Sequence, residues 1–483
     1  MIQLIFFSVS SIILYTVYTL LKVPEELKQV PRVPVLRLLW SLIRGEPFDD
    51  QFDCIVAPVL SKTGVARMWV FGRWQVIVSD FGLAQKILNS TDTIMKQPND
   101  SLTKHQLLVK FLGESSIVLS DGGDWLRHRK VANPIFKRRI NPQVLGKSIV
   151  EMAAMIENSK PVDMFDMFKK ANMDTLGRAI FSHEFNALAK QGQGKTLEMY
   201  DGLINALFEP IYFIMPFLET LVPSRIAIHQ TNVDFRSFLK NIIQERKASM
   251  NPNMEDDKED LLTNLIRASE SDQQINKEEV INNIATFFLA GHETSTGALT
   301  TAMFYLAKHP EIQEKARQEA LATSNNEIPS FEQQKQLKYI DCIIKESMRI
   351  ITTVNDYRRY CNETTYINDK LTIPKGSPVI IHAWAIHHDP ALFPDPSTFN
   401  PDRFIDPQGS QSRHWMAFGS GPRMCIGLNF AMAQQRVALS ILFRRFTFAL
   451  GPHSVHQPKP LIRTEGLSRP AELDIVFQPI SQE

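Results

Sequence analysis

The stretch from about Ile275 to about Lys308 constrains the fold most. It reads as one uninterrupted helix, stopped at His309-Pro310 because proline has no amide proton to continue the ladder. At 1.5 Å per residue such a rod is about 50 Å long, enough to cross a whole domain. Its middle, Ile284–Ala290, is apolar on nearly every side, so it must be surrounded by protein. A chain built around it is mainly α-helical, and most of the remaining sequence also has helical character. Val65–Phe71 and Trp74–Val78 read as two strands around Gly72-Arg73, a hairpin. Small sheets therefore accompany the helices. Pro390 to about Gln411 is proline-rich irregular chain, and a last strong helix begins near Gly427. The polar run Asn251–Asp260 reads as a solvated loop.

The 483 residues contain no repeat and no composition shift that would mark an internal seam. We expect one large domain over 49–483, a proline-containing linker over 22–48 with Pro24, Pro31 and Pro34, and a membrane anchor over 1–21. Met1 to Leu21 carries no charged side chain, and about 20 apolar residues span a bilayer. No basic residue precedes the run, and Lys22-Val23-Pro24-Glu25-Glu26 is a poor cleavage site, which argues against a removable signal peptide. Lys22, Lys28, Arg32, Arg37 and Arg44 follow the run, so the bulk of the chain should face the cytosol. Four cysteines in so long a chain, with no C-x-x-C pair, fit a reducing compartment. Lys plus Arg number 53 against 52 for Asp plus Glu, so no strong field draws in nucleic acid.

Two segments carry chemistry. Residues 418–427 read Phe-Gly-Ser-Gly-Pro-Arg-Met-Cys-Ile-Gly, a tight turn running into a helix. Cys425 there faces unpaired N–H groups and the positive end of the helix dipole, with Arg423 close by. All three should depress its pKa and favour thiolate, a soft ligand for a metal. The second segment, Ala290-Gly291-His292-Glu293-Thr294-Ser295, lies inside the long helix. Glycine there costs about 1 kcal/mol against alanine, and a buried glutamate also needs a reason. Without a Cβ, Gly291 would let something flat approach. The Thr294 hydroxyl can bond the Ala290 carbonyl and distort the ladder locally. Glu293 and Thr294 point about 100° apart, so one can face a reaction centre and the other a solvent channel. His292 is assigned no role beyond a polar helix position.

The pattern Phe-x-x-Gly-x-Arg-x-Cys-x-Gly resembles the haem-binding loop of the cytochrome P-450 superfamily, and Ala-Gly-x-Glu-Thr resembles its acid–alcohol pair. The resemblance runs from roughly Val65 to Phe477 in unbroken motif order. It implies a cytochrome P-450 fold with the long helix over haem b, preceded by one transmembrane helix. Cys425 would be the axial iron ligand, Arg423 a haem-propionate contact and Phe418 the aromatic beside the thiolate. Thr294 would handle the oxygen being activated while Glu293 relays protons. Trp125 and Arg129, in Trp-x-x-x-Arg, and Arg359 resemble further propionate contacts, with neighbouring Arg358 as the alternative to Arg359. Glu346-x-x-Arg349 and the Arg403 of Pro-x-Arg-Phe resemble the family's structural triad; Glu314-x-x-Arg317 shares the spacing and reads as a surface salt bridge.

The departures lie away from the iron. No proline follows the Glu-x-x-Arg helix, where Ile350-Ile351-Thr352-Thr353 stands, and Gln434 replaces a common acid.

The resemblance further implies a monooxygenase that inserts one atom of O2 into a lipophilic small molecule: a steroid or sterol, a fatty acid or a xenobiotic. NADPH would supply electrons through a separate reductase, since the chain holds no flavin or dinucleotide fingerprint; cytochrome b5 could be a second donor. Arg413, Arg423 or Lys345 could form the docking face. Substrate contacts are expected from Met95–Ser120, Leu207–Val222, Phe287–Ala290 and Thr352–Val354, with the apolar Leu207–Val222 also able to dip into lipid. The motif style resembles microsomal fungal members, which implies a single-pass protein of the endoplasmic reticulum membrane. A reductase-independent haem-thiolate isomerase or dehydratase is one alternative, and a non-catalytic haem or lipid binder another. Glu293-Thr294 argues against both.

Overall fold

The computed structural model describes Tyr18 and residues 22–480, apart from 71–72, 92–93, 97–103, 157–159, 190–193, 251–259, 271–273, 369–370, 457–458 and 465–466. The expected anchor therefore lies, Tyr18 excepted, outside the described residues. Among those that are described, no helix is long and apolar enough to cross a membrane.

Val65–Val70 (β1) and Arg73–Val78 (β2) pair antiparallel with Val70 opposite Arg73. Arg73, expected in the turn, belongs to β2. Ile94–Met95 (β3), Asp356–Cys361 (β4) and Pro378–His382 (β5) complete a five-stranded sheet ordered β1-β2-β5-β4-β3, in which only the β2–β5 pairing is parallel. The remaining sheets have two or three short strands.

Helices make up the rest. Those that build the site are Gly122–Lys137 (α1), Met164–Leu176 (α2), Gly194–Leu207 (α3), Pro223–Ser249 (α4), Lys277–Lys308 (α5), Lys338–Ile350 (α6) and Leu428–Arg445 (α7). The long helix expected over 275–308 is α5, and α2, α4 and α6 pack against it. It starts at a capping box. The Glu279 N–H donates to the Asn276 side chain at 2.9 Å, and the Asn276 N–H donates to Glu279 at 2.8 Å. The buried Glu279 carboxylate also takes both Arg127 amines, from α1, at 2.9 Å, and the Ser115 hydroxyl at 2.7 Å. Burial would raise its pKa, but these donors prevail and hold it down at about 2.

Every residue of α5 from Glu279 to Leu289 and from Ser295 to Leu306 is buried. Between them, accessible surface is confined to Ala290, Gly291, Glu293 and Thr294. The turn singled out by sequence is therefore the one place along this stretch where the central helix meets open space.

Glu346, Arg349 and Arg403 come together as the resemblance implied. Arg349 Nε and Nη2 donate to the two Glu346 oxygens at 2.7 and 2.8 Å, and Arg403 Nε donates to Oε1 at 3.2 Å. The Asn400 N–H adds a bond at 2.9 Å, and Arg349 Nη1 donates to the His387 carbonyl at 2.8 Å. Glu346 and Arg349 are fully buried, so α6 is tied to the irregular 387–403 segment without water. The comparison pair forms its ion pair with an exposed Glu314, but Arg317 does more than bridge the surface. Arg317 is buried and donates to the Phe443 and Phe446 carbonyls at 3.1 Å, fastening the end of α7. Asp260 also departs from expectation: it is buried, accepts from Thr263 N–H at 2.7 Å and pairs with Arg246 at 2.9 Å. A carboxylate capping a helix start is held inside the fold rather than left in a solvated loop.

Candidate active site

A cavity lies between α5 and the 418–427 loop. Ala290, Gly291 and Thr294 line it from one side, and Phe418, Arg423, Met424, Cys425 and Gly427 from the other. The loop turns on Gly419 (φ 75°) and Gly421 (φ 73°), left-handed conformations that glycine adopts without strain. At Gly421 a Cβ would also meet the Leu88 carbonyl oxygen at 2.5 Å. Tyr357 of β4 anchors the loop: its hydroxyl donates to the Met416 carbonyl at 2.7 Å and accepts from Gly419 N–H at 2.9 Å. Sequence reading missed Tyr357, although it shares a strand face with Arg359 two residues on. Cys425 N–H donates to the Phe418 carbonyl at 3.0 Å, which bends the loop back and presents the thiol. The Cys425 side chain is accessible, and the space it meets is this cavity.

The thiol is not acidified as expected. Burial pushes its pKa up, and the Gly427 N–H and Arg129 only partly oppose this. Cys425 stands three residues before the first residue of α7, too far out for the dipole to dominate. A thiolate in this place needs a cation bound to it, as metal coordination provides.

Cationic groups gather at one end of the cavity. Arg423 and Arg129 line it, and so does Lys96, which the sequence reading did not single out. Arg423 lies over the Trp125 ring at 4.1 Å, pairs with Asp121 and donates to the Ser120 carbonyl at 2.8 Å. Its Nη1 is buried with no partner among the described residues. Arg129 donates to the Met424 carbonyl at 3.1 Å. Burial lowers the Lys96 pKa to about 8, helped by repulsion from Arg359 and Arg423; burial and the same kind of repulsion bring Arg423 to about 10. The strand register separates the two adjacent arginines. Arg359 is buried and within electrostatic reach of Lys96 and Arg423, whereas Arg358 is largely exposed beside Asp356. Arg423 faces inward, so it cannot belong to a docking surface. Of the other two proposed there, Lys345 is paired with Asp341 at 3.1 Å and Arg413 is exposed.

On α5 the Thr294 hydroxyl donates to the Ala290 carbonyl at 2.5 Å, the bond anticipated from sequence. Thr286, Thr296, Thr300 and Thr301 make the same bond, and the helix runs through without a break, so the bond itself is not distinctive. Position is: Thr294 alone of these joins Thr286 in lining the cavity, on the turn opposite Cys425. Gly291 lines the cavity, and a Cβ there would lie 2.8 Å from Leu176 Cδ2, a side-chain tip that lines the same cavity.

Glu293 faces the other way, into a second, polar cavity with Lys169, Asp201, Asn205, Arg463 and Arg469. Burial would raise its pKa, but His292, Lys169 and Arg469 hold it below the ordinary value. The two-sided arrangement follows the 100° step between neighbours. His292, given no role from sequence, is fully buried and bonded to Glu293.

Of the segments expected to meet substrate, Met95–Ser120 supplies Lys96, Ile117 and Val118, and Phe287–Ala290 supplies Phe287 and Ala290. Thr352–Val354 is absent from this wall; Thr353 packs by Gly297. Leu207–Val222 contributes only Phe208, to the polar cavity. Leu176 and Ile180, from α2 and the turn after it, take the vacant places.

The donor set suits a flat, metal-bearing dianion. One thiol faces the cavity, a surplus of positive charge with an unpartnered guanidinium nitrogen lies at one end, and apolar walls close the rest.

A family model described as "Cytochrome P450" matches residues 31–476. A human protein named cytochrome P450 4F8 is 29% identical over 389 residues, covering 75% of this chain and 74% of its own. Human cytochrome P450 4F11 is 30% identical, covering 74% and 73%. A mouse protein named leukotriene-B4 omega-hydroxylase 3 is 28% identical, covering 83% and 80%. Among solved structures, the haem domain of cytochrome P450DA superposes with a TM-score of 0.79 at 19% identity, covering 94% of this chain and 98% of that one.

Proposed function

This chain belongs to the cytochrome P450 superfamily and is a monooxygenase of it, and from that premise we propose how its cavity works. Haem b would be held in the cavity between α5 and the 418–427 loop, with the Cys425 thiolate as its protein ligand. The observation that carries this reading is the opposition, across one cavity, of the Cys425 thiol and the only accessible turn of α5 between Glu279 and Leu306. A thiolate-bound haem supplies an electron-rich iron that favours O–O cleavage.

The chain does the rest. Arg129, Arg359, Arg423 and Lys96 would hold the two propionate carboxylates of the haem by charge and hydrogen bonding, with Trp125 supporting the Arg423 plane. The Phe418 carbonyl fixes the loop that carries the ligand. Val118, Leu176, Ile180 and Phe287 exclude water and receive a lipophilic substrate. Thr294 presents a hydroxyl on the reacting side, and Glu293 takes protons from the polar cavity behind it. Electrons come from NADPH through a separate reductase, with cytochrome b5 as an optional second donor.

Among the substrate classes open from sequence, fatty acids have the support of the mouse relative's name. The relatives named above are mammalian, and nothing in them supports steroid hydroxylation or a fungal source. Incubation with reductase, NADPH and isotopically labelled O2 should place one labelled oxygen in a fatty-acid product. Label in a steroid alone would redirect the substrate assignment. Conversion without reductase and without label would overturn monooxygenation in favour of the isomerase or dehydratase reading, and a haem-loaded, reducible protein that turns nothing over would favour the carrier.

We place the molecule on the endoplasmic reticulum membrane, domain in the cytosol. Two surface patches support contact with lipid. The helix Val35–Ile43 exposes Leu36, Leu39, Trp40 and Ile43, and the 211–226 segment exposes Ile211, Phe217, Leu221 and Ile226. A spin label at Leu221 in phospholipid vesicles should be shielded from a water-soluble relaxation agent. Full access to that agent would remove this segment from the bilayer.

A further inference from the structure

His292 is fully buried, and both of its ring nitrogens are engaged. Nε2 lies 2.7 Å from the Lys169 carbonyl oxygen and Nδ1 lies 2.9 Å from Glu293 Oε1. A carbonyl oxygen can only accept, so Nε2 carries a hydrogen. The Nδ1–Glu293 contact must then contain one further proton, on the imidazole or on the carboxyl, since two bare lone pairs at 2.9 Å would repel. The pair therefore rests with one proton more than a neutral imidazole beside a bare carboxylate.

We propose that His292 is a positioning and proton-storing partner of Glu293. It aims the carboxylate into the polar cavity and holds in reserve the proton that Glu293 passes toward Thr294. This inference rests on the monooxygenase reading above and adds a residue to it. In the step, Nδ1–H passes its proton to the Glu293 carboxylate, and Glu293 delivers that proton on the Thr294 side. His292 is left neutral, still donating from Nε2, and water in the polar cavity then restores the proton through Glu293. No bond other than O–H and N–H changes.

The surroundings fit this role. Lys169 and Asp201 pair at 2.5 Å in the same cavity wall, from α2 and α3. Arg469 and Arg463 face Glu293 from the C-terminal strands, and Tyr200 of α3 meets the His292 ring edge-on at 5.1 Å. The positive groups favour the carboxylate form of Glu293, which leaves the stored proton on His292; the low Glu293 pKa agrees.

His292→Asn and His292→Leu test this on the full-length haem-loaded chain. Asparagine can still donate to Glu293 but has no transferable proton. Both variants should lower product formed per NADPH by about tenfold or more, the scale of a lost general acid–base partner, and raise the solvent deuterium isotope effect. A wild-type isotope effect and coupling ratio in His292→Asn would show a purely structural donor and overturn the proposal. If neither variant folds, infrared spectroscopy of the resting wild-type enzyme decides without substrate. The protonated-carboxyl band, identified by its loss in Glu293→Gln, should appear only at acid pH, below the usual glutamate range. Its presence at neutral pH would place the proton on Glu293 and reject a reserve on His292. Because this reading needs no turnover, it fails independently of the substrate assignment.

Discussion

Cys425→Ser should abolish monooxygenation, with turnover falling by a factor of a thousand or more (about 4 kcal/mol or above in the barrier) while the fold persists. The serine hydroxyl is close in size to the thiol but does not ionise at neutral pH. The Cys425 N–H bond to Phe418, the glycine turns and the Tyr357 anchor do not involve the side chain. Helix content and thermal midpoint of the haem-free protein should therefore stay near wild type, whereas the absorption spectrum of the carbon monoxide complex should lose its thiolate signature. Retention of that signature would place the ligand elsewhere. Cys54, Cys342 and Cys361 offer no substitute, since Cys342 and Cys361 are buried in other parts of the core and none of the three lines the cavity.

Arg349→Leu should have the opposite profile, damaging the fold before the chemistry. Glu346, fully buried, would lose the two bonds from Arg349 and keep those from Arg403 and the Asn400 N–H. Breaking a buried pair by removing one partner costs about 3–5 kcal/mol, a large share of the 5–15 kcal/mol that stabilises a typical protein. The His387 carbonyl would lose its donor as well. The expected result is poor haem incorporation and a thermal midpoint lowered by many degrees, both partly restored by Glu346→Gln in the same chain. A stable, haem-replete Arg349→Leu protein would show that the network is dispensable.

The features legible in the sequence were local ones. The proline after His309 fixed one end of α5, an uninterrupted helical pattern its length, and the three-residue span between Asn276 and Glu279 sits where its capping box formed. Cys425, Arg423 and Phe418 lie within one short loop, so their meeting needed no tertiary information. Lys96 was invisible because it follows β3, which pairs with β4 more than 260 positions away in the chain, and Tyr357 because its hydroxyl meets a loop about 60 positions on. The choice between Arg358 and Arg359 depended on which face of β4 the register turns inward, a property of the sheet and not of the dipeptide. The thiol's acidity was misjudged for a related reason: helix proximity is a sequence property, but desolvation depends on everything that folds around the residue. His292 was passed over because neighbours on a helix point apart, and only the exact backbone and rotamers bring Nδ1 to Glu293. Gly291 was read from its missing Cβ, and the side chain it makes room beside, Leu176, could come only from the packing of α2.

The accessible turn of α5 is a partition one helix thick, with an apolar chamber on one side and a polar one on the other. Which side a residue serves is set by its count from the capped end. Each added or deleted residue between Asn276 and Ala290 rotates everything beyond it by about 100°: an insertion turns Glu293 to the face Thr294 held, and a deletion turns Thr294 to the face Glu293 held. Substitutions in the chamber walls can reshape what enters without touching that count. The helix thus tolerates change of composition far better than change of length, and diversification of the catalyst is channelled into its walls.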